Sequence, residues 1–304
     1  MRKILPHQTD QLFLTHTGTE TDLLFRRGVA LRAFASFPLL ETQAGRAALT
    51  SVYCDQLEAA RACDCATILE SPTWMANPAR AGALGYDLPA LREANLAALA
   101  FVAELREGAG TQDIIISANV GPMSDAYGPA LNQDAQQFAQ YHAQQIGWIA
   151  QTAADMVAAY TINHIPEAVG IVRAARDAAL PVVVSFTVET DGHLVDGTAM
   201  ADAIAQVDAQ TDGYAAYFMV NCAHPDHLDP QIATIGRLRG IVANASRCSH
   251  AELDNATELD DGDPAELGAQ LAAWRKRAPQ INVLGGCCGT DARHLQAIGC
   301  AALT

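Results

Sequence analysis

Three cysteines stand where long apolar runs stop. One run reads Ile281-Asn282-Val283-Leu284-Gly285-Gly286-Cys287-Cys288-Gly289-Thr290, and another, about sixty-five residues upstream, reads Tyr217-Phe218-Met219-Val220-Asn221-Cys222. Each has the look of a buried parallel strand, a continuous apolar stretch ended by a turn signal. Brought to one point, Cys222, Cys287 and Cys288 form a soft ligand set that suits zinc and leaves its fourth tetrahedral position open. A closed structural site uses four protein ligands, so a set of three points to chemistry at the open position. The competing reading makes Cys287 and Cys288 small core residues, since free cysteine is often buried. Two glycines before the pair and one after, expected to let backbone and metal approach closely, favour the metal, as does the matching Asn221-Cys222 end.

The chemistry of such a site follows from the thiol. A free thiol titrates near ~8.5, so at neutral pH only a small fraction is nucleophilic. Zinc deprotonates a bound thiol outright. Three cysteine thiolates leave the complex formally anionic, which keeps a substrate sulfur electron-rich. That sulfur is then suited to attack a methyl group on a positively charged sulfonium or ammonium donor, by in-line displacement.

The rest of the chain must position these residues. Its 304 residues are 50% hydrophobic and 17% charged, ample material for a large core. No Pro/Ser/Gly-rich linker divides it, and one domain over residues 1–304 is expected. A formal charge of −15 argues against nucleic acid or an acidic membrane as partner, because a polyanion would be repelled. Eight cysteines are few for this length and do not form a secreted framework. The segment Met1-Arg2-Lys3-Ile4-Leu5-Pro6-His7-Gln8 lacks the apolar stretch of a signal peptide, and no run approaches the roughly 20 apolar residues of a membrane span. The expected location is the cytoplasm, where reduced thiols remain free for metal. Oligomeric state is not written in the sequence, which leaves room for a homo-oligomer.

Eight β-rich runs occur, at 12–18, 66–71, 114–121, 156–162, 182–188, 217–222, 240–246 and 281–287, each followed by a helical pattern such as 134–153 or 165–179. Eight β-then-α units predict parallel strands joined by right-handed crossovers and closed into a (β/α)8 TIM barrel. A doubly wound open sheet is the alternative, but no G-x-G-x-x-G follows the first strand. Pro181 opens the fifth strand, where a missing N–H is tolerated. Chemistry in such barrels sits at the C-terminal strand ends, where all three cysteines fall.

These residues resemble the homocysteine S-methyltransferase family, whose barrels hold zinc through one cysteine of an Asn-Cys strand end and two of Gly-Gly-Cys-Cys-Gly. Both motifs are intact here as Asn221-Cys222 and Gly285-Gly286-Cys287-Cys288-Gly289. The likeness covers nearly the whole chain, through 14–25, Gly121-Pro122, Glu167-Ala168, 181–192 and 221–225. It implies a zinc-dependent S-methyltransferase that passes a methyl group from an onium donor to homocysteine, giving methionine. Two departures bear on the substrate. The family's first strand usually ends in Asp-Gly, which helps hold the amino group of homocysteine; His16-Thr17 stands there. Its fourth strand usually ends in Glu-Thr, with the glutamate serving the same ammonium; Tyr160-Thr161 stands there. A cationic ammonium needs a carboxylate or several acceptors. The carboxylate clamp is therefore expected to be missing, leaving Glu20 on the first loop as substitute, or an acceptor thiol without an amino group.

Further substrate contacts are expected from His16, Thr17, Glu20, Tyr160, Asn221, Asn244 and Ser246, each set against a packing or hydrogen-bonding role. Asn244 and Ser246 follow the seventh strand, where the family shows an Asn-Ser-Gly-like turn. His250 and Glu252 imitate a metal pair, but a capped helix start explains them better. Glu189 and Asp191 are set against a solvated loop. Trp74 is a candidate to shelter an onium group by cation–π contact, or to act as a lid. Thr290 and Asp291 read as the cap of a helix over 292–298. Cys54, Cys248 and Cys300 are expected to pack, and Cys63 and Cys65, one residue apart, alternate faces and make a poor metal pair. Two other functions compete: zinc as a water activator for hydrolysis, disfavoured because three thiolates weaken its Lewis acidity, and a non-catalytic thiol-binding barrel. The partners implied are a small-molecule thiol and a freely diffusing methyl donor, because the chain has no room for folate and cobalamin modules.

Overall fold

The computed structural model describes residues 3–110, 113–128 and 131–303; Met1 and Arg2 of the amino-terminal segment lie outside them. Eight parallel strands close on themselves in sequence order: β1 (Phe13–Leu14), β2 (Ala66–Glu70), β3 (Ile114–Val120), β4 (Met156–Ile162), β5 (Val182–Phe186), β6 (Tyr217–Asn221), β7 (Leu238–Ala243) and β8 (Val283–Gly286). β1 pairs with both β2 and β8, which completes the (β/α)8 barrel. Each of the eight expected runs overlaps one strand, with β1 reduced to two residues of the run 12–18 and β7 starting two residues before its run, because parallel strands buried on both faces leave the apolar run unbroken.

Seven long helices wrap the barrel: α1 (Gln43–Ala62), α2 (Leu88–Gly108), α3 (Ala135–Ile149), α4 (Ile165–Asp177), α5 (Met200–Thr211), α6 (Pro264–Arg277) and α7 (Ala292–Ala302). One expected crossover helix is absent. Between β6 and β7 the chain makes only two 3-10 turns, Pro225–His227 and Pro230–Thr234, each opened by a proline. Two prolines five residues apart leave no room for a helix interior, since each removes an N–H and clashes with the preceding turn.

Side chains divide between two apolar layers. One lies between the strands and the helices. The other fills the lumen with inward residues such as Phe13, Ile68, Ile115, Met156, Val183, Tyr217 and Met219. The far end of the lumen is closed by the amino-terminal segment, where the Asn282 amide donates to the carbonyls of Pro6, Thr9 and Gln11. The lumen is thus packed from below and opens only upward, at the carboxyl ends of the strands. No helix among the described residues is long and apolar enough to cross a membrane.

Candidate metal centre

The three cysteine sulfurs converge at the barrel mouth, all within 4.8 Å of one another. A tetrahedral zinc with Zn–S bonds of ~2.3 Å requires sulfurs about 3.8 Å apart, so this cluster fits the ion with small side-chain movement. Cys222 and Cys287 are joined as a disulfide and Cys288 is free. Disulfide and metal site are alternative states of the same thiols, and metal binding requires the reduced one. Burial, with the charge of Glu20 adding to it, pushes the Cys288 thiol up to about 11. Alone it stays protonated at neutral pH, and a bound cation is what makes it a thiolate.

Backbone pairing holds the thiols in place. Cys222 N–H donates to Val242 O at 3.1 Å, Cys287 N–H to Ala243 O at 2.7 Å, and Ala245 N–H to Cys288 O at 3.0 Å. The ends of β6, β7 and β8 are therefore fastened around the sulfurs. Cys222 takes a left-handed backbone with φ of 55°, which turns the chain sharply off β6. Such a conformation costs a non-glycine residue about 1–2 kcal/mol and persists where surrounding contacts enforce it.

The glycines of the motif allow the close approach of neighbouring chain that the sequence reading expected. A Cβ on Gly286 would sit 2.2 Å from Thr290 Oγ1, and Gly289 has φ of 82° with Asp260 O 2.6 Å from where its Cβ would be. Thr290 uses the space: its hydroxyl donates to Cys287 O at 2.7 Å and accepts from Gly18 N–H at 3.0 Å, tying the β8 turn to the β1 loop. Asp291, as expected, caps α7 by accepting from Arg293 N–H.

A cavity of about 500 Å³ opens beside the sulfurs. Of the expected site residues, Cys222, Cys287, Cys288, His16, Glu20, Tyr160, Asn221, Asn244 and Ser246 line it; Thr17 is buried and does not. Asn221 is spent on the protein: its Oδ1 accepts from Thr161 N–H at 2.9 Å and Ser185 Oγ at 2.7 Å, and its amide donates to Thr161 Oγ1. It thereby holds Thr161 at φ of 61°, an outlier for a β-branched residue, where the register between β4 and β5 shifts. Asn244 donates to Cys222 O at 3.0 Å, and the Ser246 hydroxyl accepts from Cys248 N–H. All three shape the mouth while lining the cavity, and Asn244 Oδ1 has no hydrogen-bond partner. His16 stands edge-on to Tyr160 at 4.7 Å, and burial drives its pKa down to about 4, so the ring is neutral. Glu20 accepts from Ser36 Oγ at 2.6 Å, and burial raises its pKa against that bond.

Trp74 lines the cavity, but the guanidinium of Arg80 lies over its ring at 5.2 Å, so that face already carries a cation. His250 lines the cavity and stacks on Tyr127 at 4.0 Å, while Glu252 closes a capping box with Ser249. Glu189 and Asp191 do not line it. At the opposite end of the barrel Cys63 pairs with Cys300 as a disulfide, so Cys300 does more than pack, and Cys248 is exposed.

The sequence reading missed Glu70 and Tyr127. Glu70 ends β2, and its side chain reaches the cavity floor, where the Tyr160 hydroxyl donates to Oε1 at 3.0 Å and the Thr15 hydroxyl at 3.4 Å. Its signal was available: a period of two from the lumen residues Ala66 and Ile68 turns position 70 inward at a catalytic strand end. Tyr127 sits on the β3–α3 connection, whose path over the mouth no local pattern announces.

Fold and site together define a (β/α)8 barrel with a three-sulfur centre, capable of holding a metal, at its carboxyl-terminal mouth. A family model described as homocysteine S-methyltransferase matches residues 21–302. The chain belongs to the homocysteine S-methyltransferase family. Homocysteine S-methyltransferase YbgG of Bacillus subtilis (strain 168) is 25% identical over 195 residues, a match that spans 60% of this chain and 60% of that relative. The homocysteine methyltransferase MmuM from Escherichia coli has the same fold: its metallated form aligns with a TM-score of 0.74 at 19% identity, and its oxidized form with 0.74 at 20%, each covering 96% of both chains.

Proposed function

We propose that this chain is a zinc-dependent S-methyltransferase, acting as one cytoplasmic barrel domain, that moves a methyl group from an onium donor to a small thiol of the homocysteine class. The observation that carries the reading is the convergence of Cys222, Cys287 and Cys288 beside a cavity, three sulfurs rather than four. When bound there, zinc supplies thiol deprotonation at neutral pH and a fixed position for the sulfur. The chain's own residues supply the rest. The strand-end hydrogen bonds fix the sulfurs, and the packed lumen closes the cavity from below.

The charge of the cavity favours a cationic donor. Glu20, Glu70, Asp125, Asp254, Glu258 and Asp260 line it against one guanidinium, Arg80. That surplus draws a sulfonium or quaternary ammonium inward and repels an anionic one.

The test is product analysis. Reduced, zinc-loaded protein is offered homocysteine with S-methylmethionine, S-adenosylmethionine or a betaine, and products are read by mass spectrometry. Methionine is expected with one donor, and Cys222→Ser, Cys287→Ser or Cys288→Ser should each abolish zinc retention and turnover together. Consumption of donor by water with no methylated thiol, or turnover that survives loss of any of the three sulfurs, would overturn the reading.

A further inference from the structure

Glu70, at the floor of the cavity, is a carboxylate that the protein only half satisfies. It is 4% exposed at the end of β2; its Oε1 takes the Tyr160 and Thr15 hydroxyls, Oε2 has no hydrogen-bond partner, and the Ser117 hydroxyl also acts to stabilise its charge. Its surroundings are hydroxyls and apolar walls, with no cation acting on it. An ionised carboxylate buried without a counter-charge costs several kcal/mol, and the cost is relieved when an ammonium arrives with good geometry. Such a group is what a protein builds when the counter-charge comes with the ligand.

We propose that Glu70 anchors the amino group of the acceptor, so that the site selects thiols carrying an α-ammonium over thiols without one. This rests on the reading that a thiol binds at the three-cysteine mouth. The cavity that Glu70 floors is the one the three cysteines line. The links between them are short: Tyr160 reaches from β4 to Glu70, His16 packs edge-on against Tyr160, and His16 O accepts from Gly286 N–H at 3.0 Å, next to Cys287. His16 and Tyr160, which stand where the expected clamp carboxylates are missing, are thus the neighbours of a carboxylate supplied by the second strand. Glu20 is the weaker candidate, since its Oε1 already takes the Ser36 hydroxyl and it is partly exposed at the cavity side facing Cys288.

The experiment compares L-homocysteine with 4-mercaptobutanoate, the same chain without the amino group, by calorimetric titration of reduced, zinc-loaded protein. A charge-assisted bond to a buried carboxylate predicts that the wild type binds homocysteine about tenfold or more tighter. Glu70→Gln, which keeps the shape, should erase that preference while leaving 4-mercaptobutanoate binding and zinc content unchanged; Glu20→Gln should keep it. In a crystal of the wild-type homocysteine complex, the amino nitrogen should lie within about 3 Å of Glu70, a test that needs no variant. Equal binding of the two thiols, a preference that survives Glu70→Gln, or a nitrogen seated on Glu20 would overturn the assignment and leave the methyltransferase reading standing. Failure of the zinc-loaded wild type to bind either thiol would overturn both.

Discussion

Two buried glutamates, about as deep as each other, are treated in opposite ways. Glu167, 2% exposed in the first turn of α4, has Oε1 filled by Met123 N–H at 2.6 Å and His142 Nε2 at 2.8 Å. The helix dipole at that terminus favours its charge as well. It joins α3, α4 and the loop after β3 from inside. Glu70 lies at a strand end with two hydroxyl donors on one oxygen, no hydrogen-bond partner on the other, and only neutral hydroxyls, Ser117 among them, acting on its charge. The difference separates a carboxylate that holds the fold from one that the fold holds ready. The first is complete without a ligand, and the second is not.

Removing each should expose the contrast. Glu167→Ala is expected to cost about 3–5 kcal/mol in denaturant unfolding, because it strips a buried network and leaves His142 and an N–H unpaired. A loss below about 1 kcal/mol would erase the distinction between the two sites. Glu70→Gln should act in the other direction and only over part of the pH range. The Glu70 carboxyl ionises near 4.5 when unfolded, and burial, opposed by the surrounding hydroxyls, raises it to about 7 in the folded protein. The folded state therefore binds more protons than the unfolded state between those values, and stability falls as pH rises through that window. Relative to Glu70→Gln, the ligand-free wild type should lose at most about 3 kcal/mol between pH 4.5 and 7, and nothing more above it. Parallel stability curves for the two proteins would mean that Glu70 is not held in the way described.

The same contrast explains what could be read without coordinates. All eight strands were legible because parallel strands buried on both faces leave long apolar runs, and Cys222, Cys287 and Cys288 were legible because they end two of them. Local pattern does not report cross-barrel neighbours. Tyr160 was identified as a substitute at a clamp position, yet its hydroxyl partner Glu70 lies 90 residues away in sequence. Asn221 was read as a substrate or ligand contact, and only the structure shows its bonds spent on Thr161 and Ser185. The glycine before Cys287 was read as allowing close approach, but that Thr290 is what approaches Gly286 is a contact no spacing rule could have assigned. The missing helix after β6 was in principle visible in Pro225 and Pro230, but alanine-rich crossovers elsewhere invited the regular pattern. A glutamate at position 160 would set a second carboxylate against Glu70 instead of completing a clamp.

The central claim is that three cysteines of this chain bind one metal at the barrel mouth. The most direct test is X-ray absorption at the zinc edge on reduced protein loaded with one equivalent of zinc. The account predicts three sulfur neighbours at about 2.3 Å, the number of cysteines that converge there. Two or fewer sulfur neighbours, or four, would contradict it.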